Sequence, residues 1–208
     1  MDFSHQINAQ FLTGRALYER VIRDGMLKAR RSVWIATANL KELYVERAGV
    51  RARNRYGSIV DEFARLADAG VELRLLHAEL PSRPFRAAFD RKPALVRGGL
   101  AMKNCARLHL KTIIVDGSWL YLGSANLTGA GLGCKDEDKR NFEFGFVTED
   151  FRLLDEVQAM YEALWRGEPC DHCRLRQVCP DPGPYSRGAR RSASIRGKRF
   201  LPPPTADS

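Results

Sequence analysis

His109 and Lys111 stand two residues apart in Leu108-His109-Leu110-Lys111-Thr112-Ile113-Ile114-Val115-Asp116, a segment whose apolar content reads as a strand. Side chains two apart on a strand share a face, so the spacing predicts a nucleophile and a cation side by side. Phosphodiester chemistry needs such a pair. A neutral imidazole can attack phosphorus while an ammonium holds the non-bridging oxygens whose charge grows during displacement. A second strand over 119–122 leads into Gly123-Ser124-Ala125-Asn126. Small residues there would let the backbone approach a phosphate, and the Asn126 amide could donate to it. A helix opening at Leu127-Thr128 would add backbone N–H groups and a favourable dipole. Asp116 has the opposite strand parity to His109, which predicts that it holds the turn at Gly117 and does not touch substrate.

The elements that must position these residues show in the hydrophobic pattern. Leu17, Val21, Met26 and Leu27 fall near helical spacing among charges, predicting an amphipathic helix over 14–31. A buried strand follows over 32–38. Ile59, Val60, Phe63, Leu66 and Ala67 mark a second helical face that stops at Ala69-Gly70, and residues 71–76 resemble a half-buried strand. Strands over 108–116 and 119–122 are joined by a hairpin-like turn at Gly117-Ser118, and a further strand is expected over 142–147. Phe151, Leu154, Val157, Tyr161 and Trp165 lie on one face of a closing helix. The alternation of strand and helix predicts an α/β layer architecture. Residues 47–55 hold four arginines and read as a surface loop able to touch a phosphate backbone. From about Asp181 the chain turns to Pro, Ser, Gly and Arg without an apolar period, which predicts a disordered basic tail. The expected division is a catalytic domain over 1–168, a cysteine segment over 169–180 and the tail over 181–208.

The pattern His109-x-Lys111-x4-Asp116-x6-Gly123-Ser124-x-Asn126, with Asn141-x-Glu143 downstream, resembles the signature of the phospholipase D superfamily at every defining position and both gaps. The likeness extends over roughly residues 14 to 166 and implies a mixed β-sheet flanked by helices. It also implies a two-step mechanism through a covalent phosphohistidine, with a second histidine as general acid and no catalytic metal. By this resemblance His109 is the nucleophile or the acid, Lys111 and Asn126 bind phosphoryl oxygens, Ser124 supports the pocket floor, and Glu143 orients the histidine. Asp116 belongs to the same motif. The motif occurs once, and the other histidines, His5, His77 and His172, lie in no matching context. Single-copy members of the superfamily meet the need for a second histidine as two-fold homodimers, so a homodimer sharing one site between two copies of His109 is expected.

Cys170-x2-Cys173-x5-Cys179-Pro180 places three thiols within ten residues. Two close turns could gather them around one metal, with Cys105, Cys134 or His172 as the fourth ligand. The spacing resembles the C-terminal triplet of the iron–sulfur nucleases of the RecB type, and zinc would fit nearly as well. The expected role is a structural clamp on the C-terminal segment. Five cysteines, an odd number, argue against a disulfide framework.

The 208-residue chain carries a formal net charge of +9, with +4 in residues 180–208 and +5 in the rest. That excess points to a polyanionic partner, DNA or RNA. The apolar runs are far shorter than the roughly 20 residues of a membrane-spanning helix. The first residues lack the basic and apolar regions of a secretory signal, so a cytoplasmic location is expected. The leading expectation is a metal-independent nuclease. The alternatives are a lipid phosphodiesterase or phosphatidyltransferase, and a nucleic-acid-binding subunit of a defence or repair complex.

Overall fold

The computed structural model of the chain describes residues 6–47 and 55–183. The expected arginine loop falls largely on residues 48–54, and His5 and most of the expected tail likewise lie outside the described residues. Nine strands are described. Seven form one mixed sheet: β1 (Ala9–Thr13), β2 (Ser32–Thr37), β5 (Glu72–His77), β6 (Ala101–Asn104), β7 (Lys111–Val115), β8 (Trp119–Gly123) and β9 (Phe144–Thr148). Their order across the sheet is β1-β9-β8-β7-β2-β5-β6. The pairs β2–β5 and β5–β6 are parallel and the rest antiparallel. A separate hairpin arm pairs β3 (Tyr44–Glu46) with β4 (Tyr56–Ser58).

The alternation within each strand explains why helices cover both faces. On β2, Val33 and Ile35 join one core while Trp34 and Ala36 join the other. The same split recurs on β7, with Ile113 and Val115 against Ile114, and on β8, with Tyr121 against Leu120. The larger core is closed by α1 (Arg15–Leu17), by α2 (Ile59–Asp68) and by α3 (Arg83–Asp90). The smaller one lies under α4 (Phe151–Arg166), whose Tyr161 and Trp165 stack on one another while Tyr161 also stacks on Trp34.

Local signals set the helix ends. Ser58 accepts from the Val60 N–H ahead of α2 and Asp150 from the Leu153 N–H ahead of α4, each satisfying a donor that has no partner within its helix. The Gly167 backbone, left-handed at φ 77°, turns the chain out of α4.

The helix expected over 14–31 is broken. After α1 the backbone widens into a π-helical turn over Tyr18–Arg23, then tightens to a 3₁₀ turn over Met26–Lys28. Gly25 sits at the break, where a Cβ would come within 2.9 Å of both the Trp119 ring and the Val21 carbonyl oxygen. No helix opens at Leu127-Thr128. Leu127 is spent in a bridge to Leu40, and the following chain, with Gly129, Gly131 and Gly133, forms turns. The Gly131 position forbids a side chain, since a Cβ there would lie 2.5 Å from the Asn126 carbonyl oxygen.

Candidate active site

The carboxyl end of β2, the amino end of β7, the carboxyl end of β8 and the amino end of β9 meet at one end of the sheet, because β7 and β9 run antiparallel to their neighbours. Lys111, Ser124, Asn126 and Glu143 are all delivered there. The β2–β7 pairing ends on Thr37 opposite Lys111. Beyond that rung β7 has no partner, so His109 precedes the strand and lies, exposed, in the connector from β6. The expected strand over 108–116 is thus paired only from Lys111, and the pairing does not reach His109. A local bond links them instead, from Lys111 Nζ to the His109 carbonyl at 2.8 Å. Burial pushes the Lys111 ammonium below its ordinary pKa, and the carboxylate of Glu143 pulls it partly back, which marks the two as electrostatic neighbours.

Ser124 and Glu143 form a unit. The Ser124 hydroxyl donates to Glu143 Oε2 and accepts from the Phe144 N–H at 3.1 Å, while Asn141 Nδ2 donates to Glu143 Oε1 at 3.2 Å. Glu143 precedes β9 and does not lie on the expected strand, since β9 begins at Phe144. Among the described residues of one chain it makes no hydrogen bond to His109. Gly123, next to Ser124, is glycine for a packing reason: a Cβ there would collide with the Tyr121 hydroxyl and lie 2.7 Å from the Phe144 carbonyl oxygen.

Asn126 is held by its oxygen. The Asn39 N–H donates to Asn126 Oδ1 at 3.1 Å, and the Thr37 hydroxyl stands 3.2 Å from the same atom. With Oδ1 engaged, the amide nitrogen, which makes no hydrogen bond among the described residues, is left as a donor. Thr37 also accepts from the Leu127 N–H at 3.0 Å, tying the segment after β8 to the end of β2. Arg140 braces the glycine turns beyond, donating to the carbonyls of Gly131, at 2.8 Å, and Gly133. Thr37, Asn39 and Arg140 were not singled out by sequence reasoning. Their only sequence signals are a threonine ending an apolar strand and an arginine shortly after a glycine run.

Asp116 sits at the far end of β7. At φ 55° it begins the tight turn to β8, and its carboxylate accepts from the N–H groups of Arg30, Arg31, at 2.7 Å, and Ser32, at 3.0 Å. Burial alone would raise its pKa, but these backbone donors outweigh it and hold the carboxyl below its ordinary value. The placement is that of a tether between two connectors. His77 ends β5 buried, its Nδ1 2.9 Å from the Glu79 carbonyl, and burial pushes its pKa down.

Comparison with known proteins rests on the same segment. Residues 22–165 match the family described as cardiolipin synthase, PLD-like domain. The chain belongs to the phospholipase D superfamily. No curated protein matches the sequence. Among solved structures, this superfamily member is similar to the phospholipase D family member Nuc from Salmonella typhimurium, with TM-score 0.53 and 18% identity over 77% of this chain and 95% of that one. It is also similar to NucT from Helicobacter pylori, with TM-score 0.54 and 15% identity over 77% and 96% of the two chains. At these identities the likeness concerns the fold, and the mixed sheet with helices on both faces is the fold shared.

The candidate cysteines gather at the edge of this phospholipase D-like domain. Cys105, Cys170, Cys173 and Cys179 line one groove of about 640 Å³ that His109 also borders. Cys134 lies apart, buried in the larger core. His172 ends a 3₁₀ turn after α4 and does not line the groove.

Proposed function

We propose that this chain is a phosphodiesterase that cleaves nucleic acid without a catalytic metal, through a phosphohistidine at His109, in a site completed by a second copy of itself. The observation that carries this reading is the delivery of Lys111, Ser124, Asn126 and Glu143 to one end of the sheet, beside the connector that bears His109. The His109 imidazole attacks phosphorus and the bond to the leaving oxygen breaks, with that oxygen taking a proton from the imidazolium of the second copy's His109. Water then attacks the phosphohistidine, giving its proton to the second imidazole, and the P–N bond breaks. The Lys111 ammonium and the Asn126 amide are the donors suited to the equatorial oxygens. Ser124 and Asn141 fix Glu143, whose charge favours the Lys111 ammonium and partly offsets the effect of burial on it.

A second copy is supported by the missing histidine and by an uncovered apolar surface. Leu122 pairs with Phe146 across β8 and β9 on the α4 side of the sheet, and Phe146 pairs with Phe11 on β1. The helix α4 covers the middle of that face, whereas Phe11, Phe144 and Phe146 are 59%, 52% and 41% exposed. Their rings cluster, with Phe11 and Phe146 centroids 5.2 Å apart. Exposed aromatic patches of this kind mark interaction surfaces. The net charge of +9 supports a polyanionic substrate.

A lipid phosphodiester is the second reading, favoured by the description of the matching family as cardiolipin synthase. Among the described residues no helix is long and apolar enough to cross a membrane. Incubating the protein in EDTA with labelled single- and double-stranded DNA and RNA, and separately with cardiolipin or phosphatidylglycerol vesicles, distinguishes the two. Nucleic-acid cleavage that His109→Ala lowers by roughly four orders of magnitude is the expected result. Cleavage unchanged by the substitution refutes the assignment. Turnover of lipid alone favours the second reading, and binding without cleavage assigns the site to recognition.

A further inference from the structure

Residues 168–183 contain no buried side chain, yet they fold into two short 3₁₀ turns, Glu168–His172 and Arg176–Val178, and close on themselves. Asp181 accepts from the Asn104 N–H at 3.3 Å, returning the segment to β6. Arg176 donates to the Gly183 carbonyl at 2.9 Å. Gly183 comes back against the start of the segment, where a Cβ would meet Gly167 Cα at 2.7 Å and Cys170 Sγ at 3.2 Å. A loop without an apolar core must draw its stability from elsewhere, and small segments of this kind draw it from disulfides or metals. All five cysteines are free, so no disulfide supplies it.

The loop encloses thiols. Cys170, Cys173 and Cys179 from this segment, and Cys105 from the connector between β6 and β7, line the one groove of about 640 Å³, with Leu164 and Trp165 of α4 among its apolar walls. Cys173 and Cys105 are 68 positions apart in the chain and share a wall only through the fold. A single zinc ion would require sulfurs within about 3.8 Å of one another, given Zn–S bonds near 2.3 Å in tetrahedral array. Among the described residues no three Cys, His, Asp or Glu side chains converge as a single-ion site. Four thiols spread around a larger cavity instead suit a polynuclear core, which takes one thiolate at each iron.

We propose that Cys105, Cys170, Cys173 and Cys179 bind a four-iron, four-sulfide cluster in this groove, each thiol giving its proton to solvent as it becomes a ligand. The cluster is structural. It ties the segment after α4 to the connector that carries His109, four positions beyond Cys105, and so holds the connector in place. The assignment stands on the cysteines alone and does not depend on the reaction proposed for His109.

The test is anaerobic reconstitution of the full chain with equal amounts of ferric and ferrous iron and inorganic sulfide, followed by desalting and assay of iron, acid-labile sulfide and visible absorption. About four iron and four sulfide per chain are expected, with a broad visible band bleached by dithionite. Cys170→Ser and Cys105→Ala should lose most of the iron, and Cys134→Ala should keep it. Far-ultraviolet circular dichroism of each variant separates loss of cluster from loss of fold. Wild-type protein that retains no labile sulfide, or that takes up zinc and excludes iron, overturns the proposal without recourse to any variant. Full iron retention by folded Cys105→Ala overturns the ligand set.

Discussion

Replacing Thr37 by Val isolates the device that aims Asn126. The hydroxyl accepts from the Leu127 N–H at 3.0 Å and shares its own proton between the Asn39 carbonyl, at 2.9 Å, and Asn126 Oδ1, at 3.2 Å. Thr37 and Leu127 are each 1% exposed, so the stranded N–H would find no water. Such an orphaned donor costs about 1–3 kcal/mol, and the added methyl returns less than about 1 kcal/mol. The net loss is about 1–2 kcal/mol, which in urea moves the midpoint down by about 0.5–1 M for a slope of about 2 kcal/mol per M. Asn126 keeps the Asn39 N–H as its second anchor. Losing one of two anchors, each with a net value of about 1 kcal/mol, should lower kcat about fivefold. Asn126→Ala removes the donor itself and should cost about 10²–10³. Thr37→Ser keeps the hydroxyl and should turn over at close to the wild-type rate, with a stability loss of about 1 kcal/mol for the missing methyl. Urea titrations and single-turnover cleavage on the three variants check this. A Thr37→Val protein that is destabilised as expected but cleaves at the wild-type rate refutes the link from Thr37 to Asn126, as does a Thr37→Ser protein as slow as Thr37→Val.

Two further outcomes follow from the same geometry. Asp116 has its folded pKa depressed by backbone donors that outweigh burial, so its stabilisation is complete above the unfolded value near 4 and is lost as pH falls through the depressed one. Asn tolerates the left-handed backbone there, so Asp116→Asn should cost about 1 kcal/mol at pH 7, and the difference from wild type should narrow below about pH 4. Urea midpoints measured at both ends of that range, if separated by a constant gap, would remove the charge from the account. Phe146→Arg should leave the fold intact, since the ring is 41% exposed, while light scattering reports a monomer and activity falls with it. A dimer that survives the substitution, or a monomer at full activity, places the partner surface elsewhere.

Which parts of this protein were legible in the sequence follows from how far apart the determining groups lie. The strands β2, β5, β7 and β8 and the helices α2 and α4 declare themselves because each carries its own buried pattern and its own stop, as Gly70 and Gly167 do. The edge strands β1 and β6 do not. Phe11 on β1 is exposed, Lys103 and Asn104 on β6 are polar, and each strand exists because a neighbouring backbone offers hydrogen bonds. The helix expected after Asn126 fails for a similar reason, since the bridge to Leu40 uses the backbone that a helix would need.

The site divides in the same way. Residue types and spacing within 109–126 carried the family, because that motif is contiguous and spans one hairpin and its flanks. The tertiary structure alone decided how the motif is held. Thr37 and Asn39 grip Asn126 from nearly ninety positions away in the chain, His109 falls in the connector ahead of β7, and Asp116, set at the turn as its strand parity predicts, takes the N–H groups of Arg30, Arg31 and Ser32 as its partners. The cysteine triplet was likewise visible as spacing, but only the return of residues 168–183 to β6 sets Cys105 on the same groove. Local propensity and periodicity are written along the chain, whereas a hydrogen bond or a shared cavity between distant segments exists only once the packing has brought them together.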